Sequence, residues 1–361
     1  MVHRGGKDRQ KTRCFAGPWR SAPAKKRESL NHFHPRPSSH YHPSLRHIRG
    51  LHSPIMTTAE YAIPDIHADP IALDIIAARI PSDARVYFLG DIVNKGPSTL
   101  EALKKLRVLH AGGNWQLAWG NHDLLFVRAM RGSRLALRDL FSRRGRSQIF
   151  AEIGAPRLQR DVDTIFGITD FVESEASDAL LNEMIATLTS HDDLQHLVDW
   201  MIGAFRLAYR SPRQVLYIHA GVPVTDAGLP SLATETLTRY DQQLSADLRS
   251  DALDSELCLL LDQNGTSPLR LREWTARIND PAQFCAHLDV AAIVVGHSPV
   301  IPSTIADEPF PLIRHDFGAS RSKNDLPSFL ELTPSGDAVS HLRLDGKWKQ
   351  IKRGHLSSKP T

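Results

Sequence analysis

Val86-Tyr87-Phe88-Leu89-Gly90-Asp91 is a short apolar run that stops on a glycine and a carboxylate. Runs of this kind, rich in β-branched and aromatic residues, read as buried strands. Four others in the chain have the same form: Ala62-Ile63-Pro64-Asp65-Ile66-His67, Leu117-Ala118-Trp119-Gly120-Asn121-His122-Asp123, Val215-Leu216-Tyr217-Ile218-His219-Ala220-Gly221 and Ile293-Val294-Val295-Gly296-His297. Each passes from strand directly into residues that ligate metals. In open α/β sheets, ligand sites gather just past the carboxyl ends of strands. Here that edge would carry three Asp, one Asn and four His. One such coincidence is cheap. Five in one chain point to a two-metal hydrolytic centre.

The intervening sequence alternates with these runs. Ile71 to Ile80 is apolar at helical spacing, as is Leu100 to Leu109, with Ser98 placed as N-cap and Glu101 three residues on. This βαβα order predicts a layered α/β domain. Residues 122–212 read as a mostly helical insert that caps the strand ends. Strand signals return at 214–218, residues 230–262 read as helical, and 291–295 and 310–316 read as strands. Phe329 to Leu332 and Ser340 to Leu344 suggest closing strands. The domain is expected over 56–350, with a tail over 351–361 and no internal repeat.

Composition is ordinarily globular, 41% hydrophobic and 23% charged over 361 residues, with no apolar run long enough to span a bilayer. No apolar stretch follows the basic start, so no signal peptide is expected. Cys14, Cys258 and Cys285 are odd in number and far apart, which disfavours a disulfide framework and fits a reducing, cytoplasmic compartment. Residues 1–55 hold 12 Lys and Arg against Asp8 and Glu28, a net +10, and seven of the eighteen histidines. They show no period and read as a disordered extension, with Met56 as a possible start. A basic or metal-binding arm and a transit peptide are the functional alternatives. The chain's +4 leaves −6 on residues 56–361, which argues against a nucleic-acid-binding face there.

The strand ends supply a mixed nitrogen and oxygen donor set. Asp65-x-His67 puts two ligands on one side of a strand. Asp91 follows a glycine that lets the backbone turn, and its two oxygens can bridge two cations. Asn121 offers a neutral oxygen; His219 and His297 offer imidazoles. Such a shell suits Mn, Fe or Zn better than Ca.

Asp65-Ile66-His67, Gly90-Asp91-Ile92-Val93-Asn94-Lys95-Gly96-Pro97, Gly120-Asn121-His122-Asp123, His219-Ala220-Gly221 and Gly296-His297 resemble, in order, the motifs of the calcineurin-like metallophosphoesterases. The resemblance covers about residues 60–320 and falls in the phosphoprotein-phosphatase branch. That branch includes protein serine/threonine phosphatases, Shewanella-like phosphatases and symmetrical diadenosine tetraphosphatases. It implies a two-sheet β-sandwich flanked by helices, and two divalent metal ions. Asp65, His67 and Asp91 would hold one ion; Asp91, Asn121, His219 and His297 would hold the other. His122 would protonate the leaving oxygen. Lys95 stands where the family usually has a phosphate-binding Arg. Ser267-Pro268-Leu269-Arg270-Leu271-Arg272-Glu273-Trp274 resembles the Pro-Leu-Trp-x-Arg segment of the Shewanella-like enzymes, with Arg270 replacing the Trp, and makes Arg272 the second phosphate clamp.

Departures from the pattern bear on substrate. Pro64 and Ala68 flank the first motif, where the family usually has glycines. Asn94 replaces the Asp that orients the acid histidine in protein phosphatases; an amide is expected to accept from the imidazole without stabilising imidazolium. The implied reaction is hydrolysis of phosphomonoesters, on phosphoprotein or a small phosphorylated molecule, by metal-activated hydroxide and without a covalent phosphoenzyme. The alternative is a symmetrical dinucleoside tetraphosphate hydrolase, which Gly-Asn-His-Asp-Leu and the missing Asp favour. A metal-binding scaffold is a third reading. Phosphorylated substrates are the only partners expected, with no membrane.

Other features read more blandly. Trp115, Trp119 and Trp274 could stack on a base, but aromatics near strands usually belong to the core. Arg128 and Arg143, Arg144 and Arg146 could face an anion or simply line a solvated helix face. Asp316 could order the His297 loop or serve as a turn residue. Ser190-His191-Asp192 reads as a helix start.

Overall fold

The structure, a computed structural model, describes residues 58–141, 148–166, 175–250, 252–272, 274–300, 310–318 and 326–356. The expected N-terminal extension and Arg143, Arg144 and Arg146 lie outside these residues. The chain begins β1 (Glu60–Ile63), α1 (Pro70–Ala77), β2 (Arg85–Phe88), α2 (Thr99–Ala111), β3 (Trp115–Ala118) and α3 (Asn121–Met130). Then come α4 (Arg134–Phe141), α5 (Gln148–Glu152), α6 (Pro156–Phe166), α7 (Glu175–Thr189) and α8 (Asp192–Ala204). β4 (Phe205–Arg206), β5 (Ala208–Arg210) and β6 (Val215–Ile218) lead to α9 (Thr234–Arg249), α10 (Glu256–Gln263) and α11 (Pro281–His287). β7 (Ala292–Val295), β8 (Leu312–Arg314), β9 (Ser328–Leu332), β10 (Asp337–Leu344) and β11 (Lys347–His355) complete the order.

The strands form a seven-stranded sheet, β11-β10-β9-β1-β2-β3-β4, and a four-stranded sheet, β5-β6-β7-β8. Strands β1 to β4 run parallel, as do β6 to β8, while β5 and β9 to β11 are antiparallel to their neighbours. Period-two alternation assigns the faces. Ala62, Tyr87, Val215, Tyr217, Ala292 and Val294 pack in one cluster between the sheets. Their neighbours Tyr61, Ile63, Val86 and Phe88 face the helices on one outer side. Leu216, Ile218, Ile293 and Val295 face the helices on the other. The result is the expected sandwich of two sheets between helical layers. Burial on both faces explains why the five central strands read as continuous apolar runs.

Three segments differ from the sequence expectation. The helical insert ends at Ala204, not 212. Phe205–Arg206 then pairs with β3, and Ala208–Arg210 pairs with β6, so these few residues carry the chain from one sheet to the other. Residues 230–262 are two helices, broken where Ser255 Oγ accepts from Cys258 N at 3.2 Å to start α10. The expected tail from 351 lies inside β11, which pairs with β10 along its length. Lys347, Lys349 and Lys352 hid that strand, because an edge strand is commonly charged to deter further pairing. For α2, Ser98 Oγ accepts from Glu101 N at 3.4 Å as expected. Glu152 of α5 caps the same helix end, accepting from Thr99 N at 3.0 Å and Leu100 N at 2.7 Å.

One buried acid sits between the sheets, away from the strand ends that carry the metal-ligand residues. Glu60 opens β1 and accepts a hydrogen bond from Tyr217 Oη at 3.0 Å. The Tyr217 ring stacks on Tyr87 with centroids 3.8 Å apart. Burial pushes the Glu60 carboxyl above its ordinary value, against the pull of Ser211, Tyr217, Arg213 and Arg85. A raised acid contributes stability fully below its unfolded value and loses it as pH rises through the folded value. Glu60→Gln should therefore gain thermal stability relative to the natural protein more at pH 8 than at pH 4. Melting curves at the two pH values check this; a difference that does not grow with pH contradicts it.

Candidate metal centre

The carboxyl ends of β1, β2, β3, β6 and β7 converge, and backbone bonds tie their loops. Leu89 N donates to Ile63 O at 2.8 Å, His67 N to Asp91 O at 2.8 Å and Gly296 N to His219 O at 2.8 Å. The geometry is tight. A Cβ on Gly90 would lie 2.5 Å from Gly120 N, and one on Gly120 would collide with Asp91. His67, Ala68, Asp91, Asn94, Lys95 and His297 all have φ between 48° and 68°. These make up six of the nine described non-glycine residues with positive φ. Left-handed backbone at such residues costs about 1–3 kcal/mol each and concentrates at functional sites.

Two groups of ligand-type side chains share one residue. Asp65, His67 and Asp91 form the first, and Asp91, His219 and His297 the second; all are buried. His67 Nε2 lies 3.5 Å from Asp65 Oδ2 and 3.9 Å from Asp91 Oδ2. His219 Nε2 lies 3.5 Å from Asp91 Oδ1, 3.3 Å from Asn121 Oδ1 and 3.1 Å from His297 Nδ1. Carbonyl oxygens cannot donate, so neighbouring bonds fix the tautomers. His219 Nδ1 donates to Leu89 O at 2.7 Å and His67 Nδ1 to Val93 O at 3.4 Å. Both Nε2 atoms then present lone pairs to the carboxylates, the second-sphere arrangement typical of metal-binding histidines. Imidazole nitrogens beside shared carboxylates make a mixed nitrogen and oxygen donor set of the kind that fits divalent metal.

The surrounding charge fits as well. Burial raises the Asp91 carboxyl above its ordinary value, and the nearby Asp65 charge adds to the effect. Asp123 is pushed up to about 7, by burial first and then by Asp91. A cation among these carboxylates would relieve that cost. Backbone N–H groups help in part. Asp91 Oδ1 accepts from His122 N at 2.9 Å, at the start of α3, and Asp65 Oδ1 from His297 N at 3.0 Å. The sequence places Asp123 among the acids at the strand ends but assigns it no individual role. It is the clamp of the Asp91 loop, accepting from Asp91 N at 2.7 Å, Ile92 N at 3.0 Å and Gly120 N at 3.0 Å.

A cavity of about 620 Å³ opens over these groups, with Lys95, His122, Arg270 and Arg272 on its lining. The calcineurin-like phosphoesterase family matches residues 61–300, most of the described chain. The chain belongs to that family. Among curated relatives of this chain is a symmetrical bis(5'-nucleosyl)-tetraphosphatase of Ralstonia nicotianae, 34% identical over 74 residues, or 20% of this chain and 26% of that protein. Another carries the same name in Paracidovorax citrulli, 28% identical over 203 residues, or 54% of this chain and 53% of that protein. The chain thus spans about half or less of the length of these relatives. A solved protein serine/threonine phosphatase of Saccharomyces cerevisiae superposes with a TM-score of 0.43 at 12% identity, over 84% of this chain and 82% of that one.

Within the phosphoesterase fold the remaining candidates sort by contact. Arg272 is exposed on the cavity, whereas Arg277 pairs with Asp226 elsewhere. Arg270 also lines the cavity but is held by Asp262 at 2.9 Å. Arg128 faces neither substrate nor solvent. It is fully buried, donates to Leu253 O at 2.8 Å and pairs with Asp254 and Asp262. Trp115, Trp119 and Trp274 are buried core residues. Val300 N donates to Asp316 O at 2.6 Å, so Asp316 ties the His297 loop through its backbone. His191 caps α8, its Nδ1 accepting from Leu194 N at 3.3 Å. Asn94 differs from expectation: its Nδ2 donates to His122 Nδ1 at 3.4 Å, which leaves the ring proton on Nε2. No described helix is long and apolar enough to cross a membrane.

Proposed function

We propose that this protein is a dinuclear-metal-dependent phosphohydrolase. The observation that carries the reading is Asp91, one carboxylate common to two ligand clusters on the floor of a cavity whose lining also carries Lys95, His122 and Arg272. Asp65, His67 and Asp91 would hold one divalent ion, and Asp91, Asn121, His219 and His297 the other. Mn, Fe and Zn all suit this donor set. Such an ion pair supplies an acidified water at neutral pH and a clamp on the phosphoryl oxygens.

The chain's own residues do the rest. His122 holds its proton on Nε2, the nitrogen 4.0 Å from Asp91 Oδ2. That proton is placed for transfer to a leaving oxygen over the centre. Arg272 grips a phosphate as a planar fork and Lys95 as a point charge. Asp123 keeps the Asp91 loop fixed while charge develops.

Two observations favour a dinucleoside polyphosphate as substrate. The curated relatives bear that name, and the cavity, about 620 Å³ with Lys95 and Arg272 on its lining, has room for more than a single phosphate. A phosphomonoester, as phosphoprotein or small molecule, is the second reading; a single phosphate held by Arg272 and Lys95 satisfies the same geometry. The test is a side-by-side assay with Mn²⁺ on diadenosine tetraphosphate and on a phosphopeptide. ADP from the first alone supports the polyphosphate reading. Phosphate from the peptide alone replaces it with the second, and silence on both contradicts the polyphosphate and phosphoprotein readings and leaves a small phosphomonoester.

A further inference from the structure

Lys95 does more than line the cavity. Its Nζ lies 3.2 Å from His67 Nε2. Because His67 Nδ1 is spent on Val93 O, Nε2 is the acceptor and the ammonium is the donor. That nitrogen is the same atom which, with Asp65 and Asp91, makes up the first ligand cluster. The Lys95 charge also acts on Asp91. The position is built in by the backbone, since Asn94 and Lys95 are held at φ of 65° and 68°. An ammonium is a compact point charge with three donors, able to sit among nitrogen and oxygen ligands where a planar guanidinium would not.

We propose that Lys95 is an internal competitor for the first metal subsite, so that the two subsites fill in order and the first fills only as the ammonium leaves His67. The inference rests on the metal-centre reading above and adds an inequality that reading does not contain. In the second cluster His219 Nε2 faces Asn121, His297 and Asp91, and a cation entering there displaces the proton that His297 Nδ1 shares with His219, not a charged side chain. In the first cluster it meets an ammonium already bonded to the imidazole, and two cations a few ångströms apart inside a protein repel strongly. The displaced side chain has somewhere to go, since Lys95 borders the cavity. Metal loading would therefore hand the ammonium to an incoming phosphate, coupling occupancy of the first subsite to readiness for substrate.

Calorimetric titration of Mn²⁺ into the full metal-stripped chain, and into Lys95→Met and Lys95→Gln, tests this without measuring activity. The natural protein should show two binding steps that differ roughly tenfold or more in affinity. Both variants should tighten the weaker step by about the same factor and leave the stronger step within about twofold. Circular dichroism checks that the variants fold, and the two-step curve of the natural protein stands as a measurement that needs no variant. Two equivalent steps in the natural protein, or unchanged affinities in folded variants, would overturn the role of Lys95 while leaving the metal centre standing. Absence of any Mn²⁺ binding would sink the metal-centre reading and this inference with it.

Discussion

Asp91→Asn is expected to lower kcat/KM by about a thousand-fold or more, roughly 4 kcal/mol of transition-state stabilisation. The substitution keeps shape and removes charge. Asp91 is the one residue present in both ligand clusters, so its loss weakens both subsites together. His219→Ala should behave differently, because His219 belongs to the second cluster alone. Metal content after dialysis separates the two: both sites depleted in Asp91→Asn, one retained in His219→Ala. Burial pushes the natural Asp91 carboxyl upward in the absence of a cation, so the neutral side chain should not unfold the protein. Near-normal activity in a folded Asp91→Asn protein would remove the basis for the assigned chemistry.

His122→Ala is the second large effect. A general acid is worth about 10²–10⁴-fold when the leaving group needs a proton. It is worth roughly tenfold or less when the leaving group is a stable anion such as p-nitrophenolate. The loss should therefore be large on the natural type of ester or anhydride and small on p-nitrophenyl phosphate. A merely structural His122 would slow both substrates equally. The Asn94 contact sharpens this, because its Nδ2 donates to His122 Nδ1 and so keeps the transferable proton on Nε2.

Much of the fold could be read from the chain because its central strands are buried on both faces. Ile63, Phe88, Leu117, Ile218 and Ile293 are fully buried, and burial leaves an unbroken apolar run that ends sharply where the loop begins. The same sharp ends made the candidate site legible: Asp65, His67, Asp91, His219 and His297 past β1, β2, β6 and β7 cluster, and Asn121 past β3 meets His219. What escaped lacks a local signal. Arg128 reads like any surface arginine on a helix, and only its meeting with Asp262, 134 positions away, makes it a buried ion pair. Asp123 looks like a helix-start residue, and only the approach of the Asp91 loop turns it into a clamp. β4 and β5 are two and three residues long, too short for any period to show. β11 is an edge strand whose lysines imitate a tail.

The proposed metal centre requires Asp91 to lie between two divalent ions. Crystals grown with Mn²⁺ and measured for anomalous scattering at the manganese edge test it most directly. The prediction is two peaks about 3.5–4 Å apart on either side of the Asp91 carboxylate, one beside Asp65 and His67, the other beside Asn121, His219 and His297. A map with no peak at Asp91, or with manganese bound only at other residues, would contradict it.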